Sequence, residues 1–424
     1  MKYNTHSLPN GLRIIHLPSS SKVVYCGYGI AAGSRDERPG EEGIAHFCEH
    51  ASFKGTVRRR SWHILNCLER VGGELNAFTN KEDTVFYSAI LKDNLPKAVD
   101  LLSDIVFNST YPQTELDKEI QVVCDEIESY NDSPAELIYD EFENLLFEGH
   151  PLGHNILGSA VQLQTYRRDH LLEFTRRYYH PANAVFFAYG DCDFPWLVRM
   201  VEKRIEAVRT GQLPPLKNED RGVCRGVKMT PPTGISLQNE AEGKRVVRKM
   251  NTHQSHVMMG RRAYSIHDNR RIALYLLNNI LGGPGMNARL NLSLRERHGL
   301  VYSVDSSMVS YSDTGMWSVY FGCDPHDVER CIRLVRHELR RMADHPLTEG
   351  QLNAARRQIK GQIAVACDNR ESFALDFAKS YLHYGWEKDV NHLFARLDAL
   401  TPEVLYDVAR DIFNEDKLLT LVIE

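Results

Sequence analysis

The chain repeats its order of secondary-structure elements once, and this repeat limits its possible folds more than any other feature. The segment TELDKEIQVVCDEI at Thr114 matches TEGQLNAARRQIKGQI at Thr348, and each follows a predicted helix and a proline. A chain of 424 residues is also too long for one ordinary hydrophobic core. We therefore predict an α+β fold with two homologous α/β-sandwich halves, each an antiparallel-rich sheet packed with helices.

The boundary between the halves is predicted from composition. Residues 210–226, with GQLPPLKNEDRG at their centre, are rich in proline, glycine and charge and show no periodicity. Such a stretch is typical of a linker. The predicted domains are therefore residues 1–209, a linker at 210–226, and residues 227–424.

Charge and cysteine usage exclude several classes of partner. The formal net charge is −5 with 25% charged residues, which gives no reason to expect nucleic acid or an anionic membrane. The nine cysteines form no C-x-x-C pair, which fits free thiols in a reducing compartment better than a disulfide framework. With no run of 18 apolar residues and no recognisable targeting pattern, we predict a cytoplasmic protein.

Hydrophobic periodicity places the main elements. Strands are predicted at Leu12–Leu17, Val23–Ala32, Glu74–Phe78, Thr84–Ile90, Val301–Ser310 and Gly315–Phe321, and helices at Ser61–Arg70, Asn94–Phe107, Thr114–Leu146 and Ala288–Arg297.

The segment GIAHFCEHASF, Gly43 to Phe53, is predicted to be a short helix with two different faces. Ile44, Phe47, Cys48 and Ala51 fall on one face, and His46, Glu49 and His50 fall on the other. The two imidazoles are one turn apart and can reach one metal ion, in the H-x-x-E-H order of inverted zincins. Chance alone would produce this pattern in roughly one such sequence in twenty, so the polar face of a surface helix remains the alternative.

Two glutamates in the next long helix add to this hypothesis. Glu119 and Glu126 lie seven residues apart beside the apolar stripe, where partly buried carboxylates usually have a charged partner. The repeat provides a control, because Asp268–Leu281 contains no histidine pair and Gln362 stands where Glu126 would be. Histidines and glutamates that only served the fold would be expected in both halves, so their restriction to one half favours a metal site.

With these motifs, the chain resembles the pitrilysin/insulinase superfamily of zinc peptidases, in its branch of about 420 residues typified by mitochondrial processing peptidase. The similarity rests on GSRDERPGEEGIAHFCEHASFKGT, GGELNAFTNKEDTVFYSAIL, KEIQVVCDEI, HPLGHNILG, YYHPANAVFFAYGD and ILGGPGMNARLNLSLRERHGLVYSV. The resemblance implies one Zn²⁺ per chain, bound by His46, His50 and Glu126, with Glu49 transferring protons during catalysis. It also implies that Glu119 orients the metal ligands, whereas His154, His180 and His298 have structural or solvated positions.

The same resemblance assigns substrate contacts. Arg295 and Tyr302 match a pair that family members direct at the substrate and the developing oxyanion. Without the resemblance, Arg295 would be interpreted as a helix C-terminal cation and Tyr302 as a half-buried strand aromatic. Asn76, Ala77 and Phe78 match the edge strand on which family members bind peptide by strand addition.

The resemblance finally implies a function. We expect a zinc-dependent endopeptidase that cleaves unfolded or precursor peptides in a chamber, with each chain forming half of the clamshell. A homodimer is expected, and a heterodimer with a related chain is an alternative. Two other functions remain open: a non-catalytic peptide-binding partner subunit, and a dedicated maturation protease for one precursor.

Overall fold

The computed structural model describes residues 2–209, 241–250 and 252–424. The chain divides into two compact units, each built from three segments of the sequence. Unit 1 comprises Met1–Ile127, His154–Met229 and Ala366–Lys388, and unit 2 comprises Glu128–Gly153, Thr230–Val365 and Asp389–Glu424. The predicted linker at 210–226 lies outside the described residues.

The described elements alternate between strands and helices. The strands are β1 Asn4–Ser7, β2 Arg13–Pro18, β3 Val23–Ile30, β4 Glu74–Thr79, β5 Thr84–Leu91, β6 Ala184–Gly190, β7 Arg245–Arg248, β8 Ser255–Ala263, β9 Val301–Ser310, β10 Gly315–Cys323 and β11 Leu419–Ile423. The helices are α1 Ile44–Ala51, α2 Ser61–Glu69, α3 Leu95–Phe107, α4 Gln113–Asn131, α5 Pro134–Leu146, α6 Ala160–Leu163, α7 Arg168–Tyr178, α8 Phe194–Arg209, α9 Arg271–Gly282, α10 Val328–Asp344, α11 Glu349–Ala366, α12 Arg370–Tyr384, α13 Val390–Asp398 and α14 Pro402–Ile412.

Unit 1 is a six-stranded sheet in the order β1-β2-β6-β3-β5-β4. Only β2 and β6 run parallel, and the other neighbours are antiparallel. Alternate residues of β6 face opposite sides: Phe186 joins the core beneath α3 and α8, whereas the Phe187 ring lies 6.3 Å from the Phe377 ring of α12. The sheet is therefore covered by helices on both faces.

Unit 2 repeats this plan with five strands in the order β7-β11-β8-β10-β9. β7 and β11 are parallel and the remaining neighbours antiparallel, which is the pattern of β2-β6-β3-β5-β4. On β8, Val257 and Met259 join the core with α9, α10 and α14, and Met258 packs with α5 on the other face. The predicted α+β fold with two homologous halves is confirmed.

The predicted contiguous domains differ from the compact units by an exchange of two helices. α5 comes from the N-terminal half but packs on β8 and β11 of unit 2, and α12 comes from the C-terminal half but packs on β3 and β6 of unit 1. A sheet that is apolar on both faces needs a second helical layer, and the chain supplies that layer from the other half.

Two helix predictions were wrong. The predicted helix Thr114–Leu146 is two helices, α4 and α5, because Pro134 lacks an N–H and Ser133 before it leaves the helical region at φ −107° and ψ 89°. The predicted α-helix Ala288–Arg297 contains a π-helix at Asn291–Arg297, which ends at Gly299 with φ +61°. π-Helical turns are rare and are frequent at functional sites.

Within the described residues, none of the helices combines the length and the apolar composition needed to cross a lipid bilayer.

Candidate metal centre

Helix α1 has the two faces that the sequence predicts. Ile44, Phe47, Cys48 and Ala51 are buried in the core of unit 1, whereas the ring of His50 is partly exposed on the opposite face. The helix begins after Gly43, whose φ of +88° is left-handed and whose Cβ, if present, would lie 2.7 Å from the Leu157 carbonyl oxygen. Glycine is therefore required at this entry to the helix.

The structure brings the predicted metal ligands together. The ring centroids of His46 and His50 are 4.5 Å apart, and the Glu126 carboxylate of α4 faces both rings. His46 Nε2 lies 3.9 Å from Glu126 Oε1, and His50 Nε2 lies 3.5 Å from Glu126 Oε2. Glu49 belongs to the same cluster, because its carboxylate and the two imidazoles offer ligand atoms within 4.8 Å of one another.

The two histidines have opposite pKa shifts. Burial, reinforced by the neighbouring His50, lowers the pKa of His46 to about 3, so its imidazole is neutral and carries a lone pair. Burial acts against protonation of His50 as well, but its hydrogen bond with Glu119 and the nearby carboxylates outweigh burial and raise its pKa.

Glu119 holds the His50 ring in place. Its Oε1 lies 3.0 Å from His50 Nδ1, and its Oε2 lies 2.6 Å from Lys54 Nζ. Although burial opposes ionisation, these two partners lower the pKa of Glu119, which remains a carboxylate. An Nδ1–H that donates to Glu119 leaves the Nε2 lone pair of neutral His50 directed towards Glu126, as in the carboxylate–histidine–metal arrangement.

Glu49 has the environment of an acid–base group. It is 7% exposed, and burial raises its pKa to about 7 against the opposing effects of His50 and of a hydrogen bond from Thr79. Thr79 Oγ1 donates to Glu49 Oε2 over 3.3 Å. A carboxyl group with a pKa near neutrality can both accept and return a proton.

The donor set fits a zinc ion. Two ligands at about 2.0–2.2 Å from a tetrahedral zinc are roughly 3.4 Å apart, close to the separation of Glu126 from the His50 nitrogen and somewhat less than its separation from His46. These separations exceed those of normal hydrogen bonds. His46 Nδ1 is buried and has no hydrogen-bond partner among the described residues. His46, His50 and Glu126 would supply three ligands and leave one coordination position open.

Arg295 and Tyr302 lie beside each other in unit 2. The guanidinium carbon of Arg295, on the π-helix, is 5.8 Å from the ring centroid of Tyr302, on β9. Tyr302 is 86% exposed, so the interpretation as a half-buried strand aromatic is wrong. Their predicted approach to the substrate remains a prediction.

Asn76, Ala77 and Phe78 lie on β4, which is an edge strand of the unit 1 sheet. Ala77 pairs with Phe86 of β5, and within the described part of the chain β4 has no second strand beside it. A groove of about 360 Å³ opens where β4 begins and is lined by Glu69, Gly72, Gly73, Glu74, Leu75 and Asn76. The edge leaves room for an added strand.

Sequence reasoning missed three residues at this site: Lys54, Thr79 and Glu37. Lys54 follows His50 by four residues, the spacing of one helical turn, which could have pointed to it. Thr79 ends β4 and Glu37 lies in a loop, so their contacts with Glu49 and α1 depend on tertiary packing. Glu37 Oε1 accepts a hydrogen bond from the backbone N–H of Ala45 over 2.9 Å.

Fold and donor set together define a class: a two-unit α+β chain with a candidate zinc centre of the inverted H-x-x-E-H type. The insulinase model of peptidase family M16 matches residues 14–160, and the model of the M16 inactive domain matches residues 165–359. The chain therefore belongs to peptidase family M16. The match of the second half to an inactive domain agrees with the absence of a histidine pair in Asp268–Leu281.

Curated relatives agree with this family. The chain is 32% identical over 418 residues to an uncharacterized zinc protease of Streptomyces coelicolor, covering 98% of this chain and 88% of the relative. It is 31% identical over 419 residues to an uncharacterized zinc protease of Bacillus subtilis, covering 98% and 97% respectively.

Two solved structures share the fold. A protease from Helicobacter pylori superimposes with a TM-score of 0.89 at 22% identity, covering 100% of this chain and 99% of the other. A peptidase M16 inactive domain from Pseudomonas fluorescens gives a TM-score of 0.85 at 19% identity, covering 100% and 98%.

Proposed function

We propose that this chain is a zinc-dependent endopeptidase that cleaves unfolded or precursor peptides at the metal centre on α1. The observation that carries the proposal is the Glu126 carboxylate facing the Nε2 atoms of both His46 and His50, with Glu49 beside them. The uncharacterized relatives are named zinc proteases, which supports the same metal and reaction class.

A zinc ion held by His46, His50 and Glu126 would polarise a peptide carbonyl and lower the pKa of a coordinated water. Glu49 is the general base and acid of this proposal, because its pKa of about 7 lets it take a proton from the attacking water and deliver it to the leaving amine. Thr79 fixes one oxygen of Glu49, so the other oxygen is the one that exchanges the proton.

The peptide would bind as an added strand on β4. Its main chain would pair with the free edge near Asn76, Ala77 and Phe78, and such pairing accepts varied side chains. In unit 2, the exposed Tyr302 hydroxyl and the Arg295 guanidinium are donors suited to the negative charge that develops on the carbonyl oxygen.

We further propose that two chains form the working enzyme, each contributing half of a chamber around the peptide. One chain carries both the metal ligands and the Arg295–Tyr302 pair, so a homodimer needs no second gene product. A heterodimer with a related chain is the alternative arrangement.

A non-catalytic peptide-binding subunit is the main rival function. The match of residues 165–359 to an inactive domain favours it, because such domains occur in chains without catalysis. The complete set of His46, Glu49, His50 and Glu126 in the first half argues against it. A dedicated maturation protease would use the same centre and differ only in accepting one precursor.

The deciding experiment combines elemental analysis with a panel of quenched fluorescent peptides, assayed with and without a chelator. We expect one zinc per chain, cleavage within several peptides, and loss of cleavage on chelation. Glu49→Gln should retain zinc and lower kcat by about 100- to 10,000-fold, because only proton transfer is removed. The exposed Glu69→Gln serves as the matched control and should cleave normally.

Each contrary result identifies a different error. Undiminished cleavage by Glu49→Gln would contradict the assignment of Glu49. Zinc without cleavage of any peptide would favour the non-catalytic subunit, and cleavage of only one precursor sequence would favour the maturation protease.

A further inference from the structure

The loop before α1 places a buried carboxylate against the start of the histidine helix. The side chain of Glu37 is 1% exposed, and its two oxygens accept from the helix entry: Oε1 from Ala45 N over 2.9 Å and Oε2 from Gly43 N over 3.0 Å. These N–H groups are among those that a helix leaves without an internal partner at its first turn. A carboxylate there also opposes the positive end of the helix dipole.

His154 holds this carboxylate from the other side. Its Nε2 lies 2.9 Å from Glu37 Oε2 and 3.0 Å from the carbonyl oxygen of Ser34. The backbone of His154 is fixed in turn, because Lys81 Nζ donates to its carbonyl oxygen over 2.5 Å. Both carbonyl and carboxylate oxygens accept, so the His154 Nε2 atom carries a proton in this arrangement.

Two glycines bring the loops of Glu37 and His154 into close approach. A Cβ at Gly43 would lie 2.7 Å from the Leu157 carbonyl oxygen, and a Cβ at Gly158 would lie 2.5 Å from the Glu42 carbonyl oxygen. Both glycines have positive φ, +88° and +69°. The entry to α1 is therefore fixed by backbone packing as well as by hydrogen bonds.

This fixation matters because α1 is short. It spans eight residues, fewer than an isolated helix needs to be stable in water, and His46 is its third residue. The first turn, which Glu37 binds, is thus the turn that carries one of the candidate ligands. His50, one turn later, is held separately through Glu119.

We propose that Glu37 and His154 form a positioning pair that fixes the first turn of α1, and with it the His46 imidazole, for metal binding. The inference rests on the proposed zinc centre. Neither residue touches the metal or the substrate in this proposal: Glu37 acts through the backbone of Gly43 and Ala45, and His154 acts through Glu37.

The test measures zinc affinity by competition with a chromogenic chelator, using the full chain. Glu37→Gln replaces one acceptor oxygen by an NH₂ group that faces N–H donors, so its zinc affinity should fall by about 10- to 100-fold, as for other residues that orient metal ligands. Glu42→Gln is the matched control, because Glu42 also accepts a backbone N–H, from Gly40, but at the exposed surface. Its affinity should equal that of the wild type.

A second pair of variants examines His154. His154→Leu removes the donor and should weaken zinc binding, and His154→Gln restores an N–H donor and should recover most of the affinity. A purely structural role would lower thermal stability in both variants without this recovery. If Glu37→Gln does not fold, the two His154 variants decide: weakened binding with recovery supports the positioning pair, and equal affinities overturn it.

Two readouts do not depend on peptide cleavage. The visible spectrum of the cobalt-substituted protein should change in Glu37→Gln and not in Glu42→Gln. In metal-free protein, hydrogen exchange at Gly43 and Ala45 should be faster in Glu37→Gln. Folded Glu37→Gln with unchanged zinc affinity would overturn the positioning role alone, whereas a wild-type chain that binds no zinc would overturn the proposed function and this role with it.

Discussion

The two units share one sheet plan but differ in the helices beside their edge strands. α1 precedes β4 and carries His46 and His50, whereas α9 precedes β9 and carries no histidine. Along α4 and α11, positions 236 residues apart correspond. Leu116 and Val123 match Leu352 and Ile359, and all four are buried.

At the same offset, the polar residues of unit 1 are replaced. Ala355 stands for Glu119, and Gln362 stands for Glu126. The apolar stripe is thus retained in both units, and the carboxylates are present in only one. This difference indicates that the sheet and its helices do not need His46, His50, Glu119 or Glu126 in order to fold.

The units also anchor their exchanged helices differently. In unit 1, Asp83 between β4 and β5 contacts α12, with His383 Nε2 at 3.0 Å and Lys379 Nζ at 3.1 Å from its Oδ2. In unit 2, Tyr311 between β9 and β10 donates a hydrogen bond to Glu143 of α5. An edge hairpin is bound to an exchanged helix in both units, by charges in unit 1 and by a hydroxyl–carboxylate hydrogen bond in unit 2.

The largest effect is expected from breaking the anchor of unit 1. Asp83→Asn should lower the free energy of unfolding by about 3–5 kcal/mol, because it leaves His383 and Lys379 without their buried carboxylate. Urea unfolding measures this loss. The exposed Asp93→Asn is the matched control, and a loss no greater than that of the control would contradict the role of Asp83.

The Asp83 anchor also predicts a pH dependence. Burial alone would raise the pKa of Asp83, but Lys379 and His383 outweigh it and hold the pKa well below its usual range. The stabilisation is therefore fully present above the unfolded pKa of about 3.9 and is lost as the pH falls towards the folded value. The stability difference between wild type and Asp83→Asn should shrink below about pH 4.

A somewhat smaller effect is expected from the residues that distinguish unit 2. Tyr302→Phe should lower kcat by about 100- to 1,000-fold, as for removal of one donor to a developing oxyanion, and should leave the zinc content unchanged. Ser303→Ala, at the next exposed position of β9, is the control. Unchanged turnover would contradict the role of Tyr302, and partial activity on mixing Glu49→Gln with Tyr302→Phe chains would support sites shared between two chains.

Glu119 provides a finer test of the asymmetry between α4 and α11. Glu119→Gln should lower zinc affinity by about 10- to 100-fold, because a neutral amide holds the His50 ring less firmly than a carboxylate. Gln362→Glu, at the position of unit 2 that matches Glu126, should leave the zinc content at one per chain. A second bound zinc in that variant would contradict the view that unit 2 lacks the rest of a metal site.

The smallest effect is expected for the anchor of unit 2. Tyr311→Phe removes one hydrogen bond to Glu143 and should cost about 0.5–1.5 kcal/mol, less than Asp83→Asn, because no charge loses its partner. Urea unfolding of the two variants side by side tests this order. An equal or larger loss in Tyr311→Phe would reverse the comparison.

The sequence predicted the elements that carry strong periodicity. β9 has the predicted bounds, and the two faces of α1 are the predicted ones, because both follow from side-chain spacing alone. The metal candidates were found for the same reason, since His46 and His50 lie one helical turn apart. Glu126 was more distant in the chain and was placed by the family resemblance.

The remainder depends on contacts that spacing does not encode. Periodicity shows that α5 and α12 have apolar faces but not which sheet each face covers, so the exchange was missed. The extra residue per turn in the π-helix at Asn291–Arg297 likewise has no signature in apolar spacing. The burial of Glu37 arises from its loop meeting His154, and a carboxylate followed by proline and glycine residues would otherwise indicate a solvated loop.

The exchange of helices has a consequence for synthesis on the ribosome. The face of β3 and β6 that α12 covers, where Phe377 lies near Tyr3 and Phe187, stays uncovered until residue 384 has left the exit tunnel. Nascent N-terminal segments therefore present an apolar sheet face for most of translation, a surface that chaperones bind and that favours aggregation. We expect a chain truncated at residue 209 to aggregate when produced alone, and to be recovered when the remainder is supplied in the same cell.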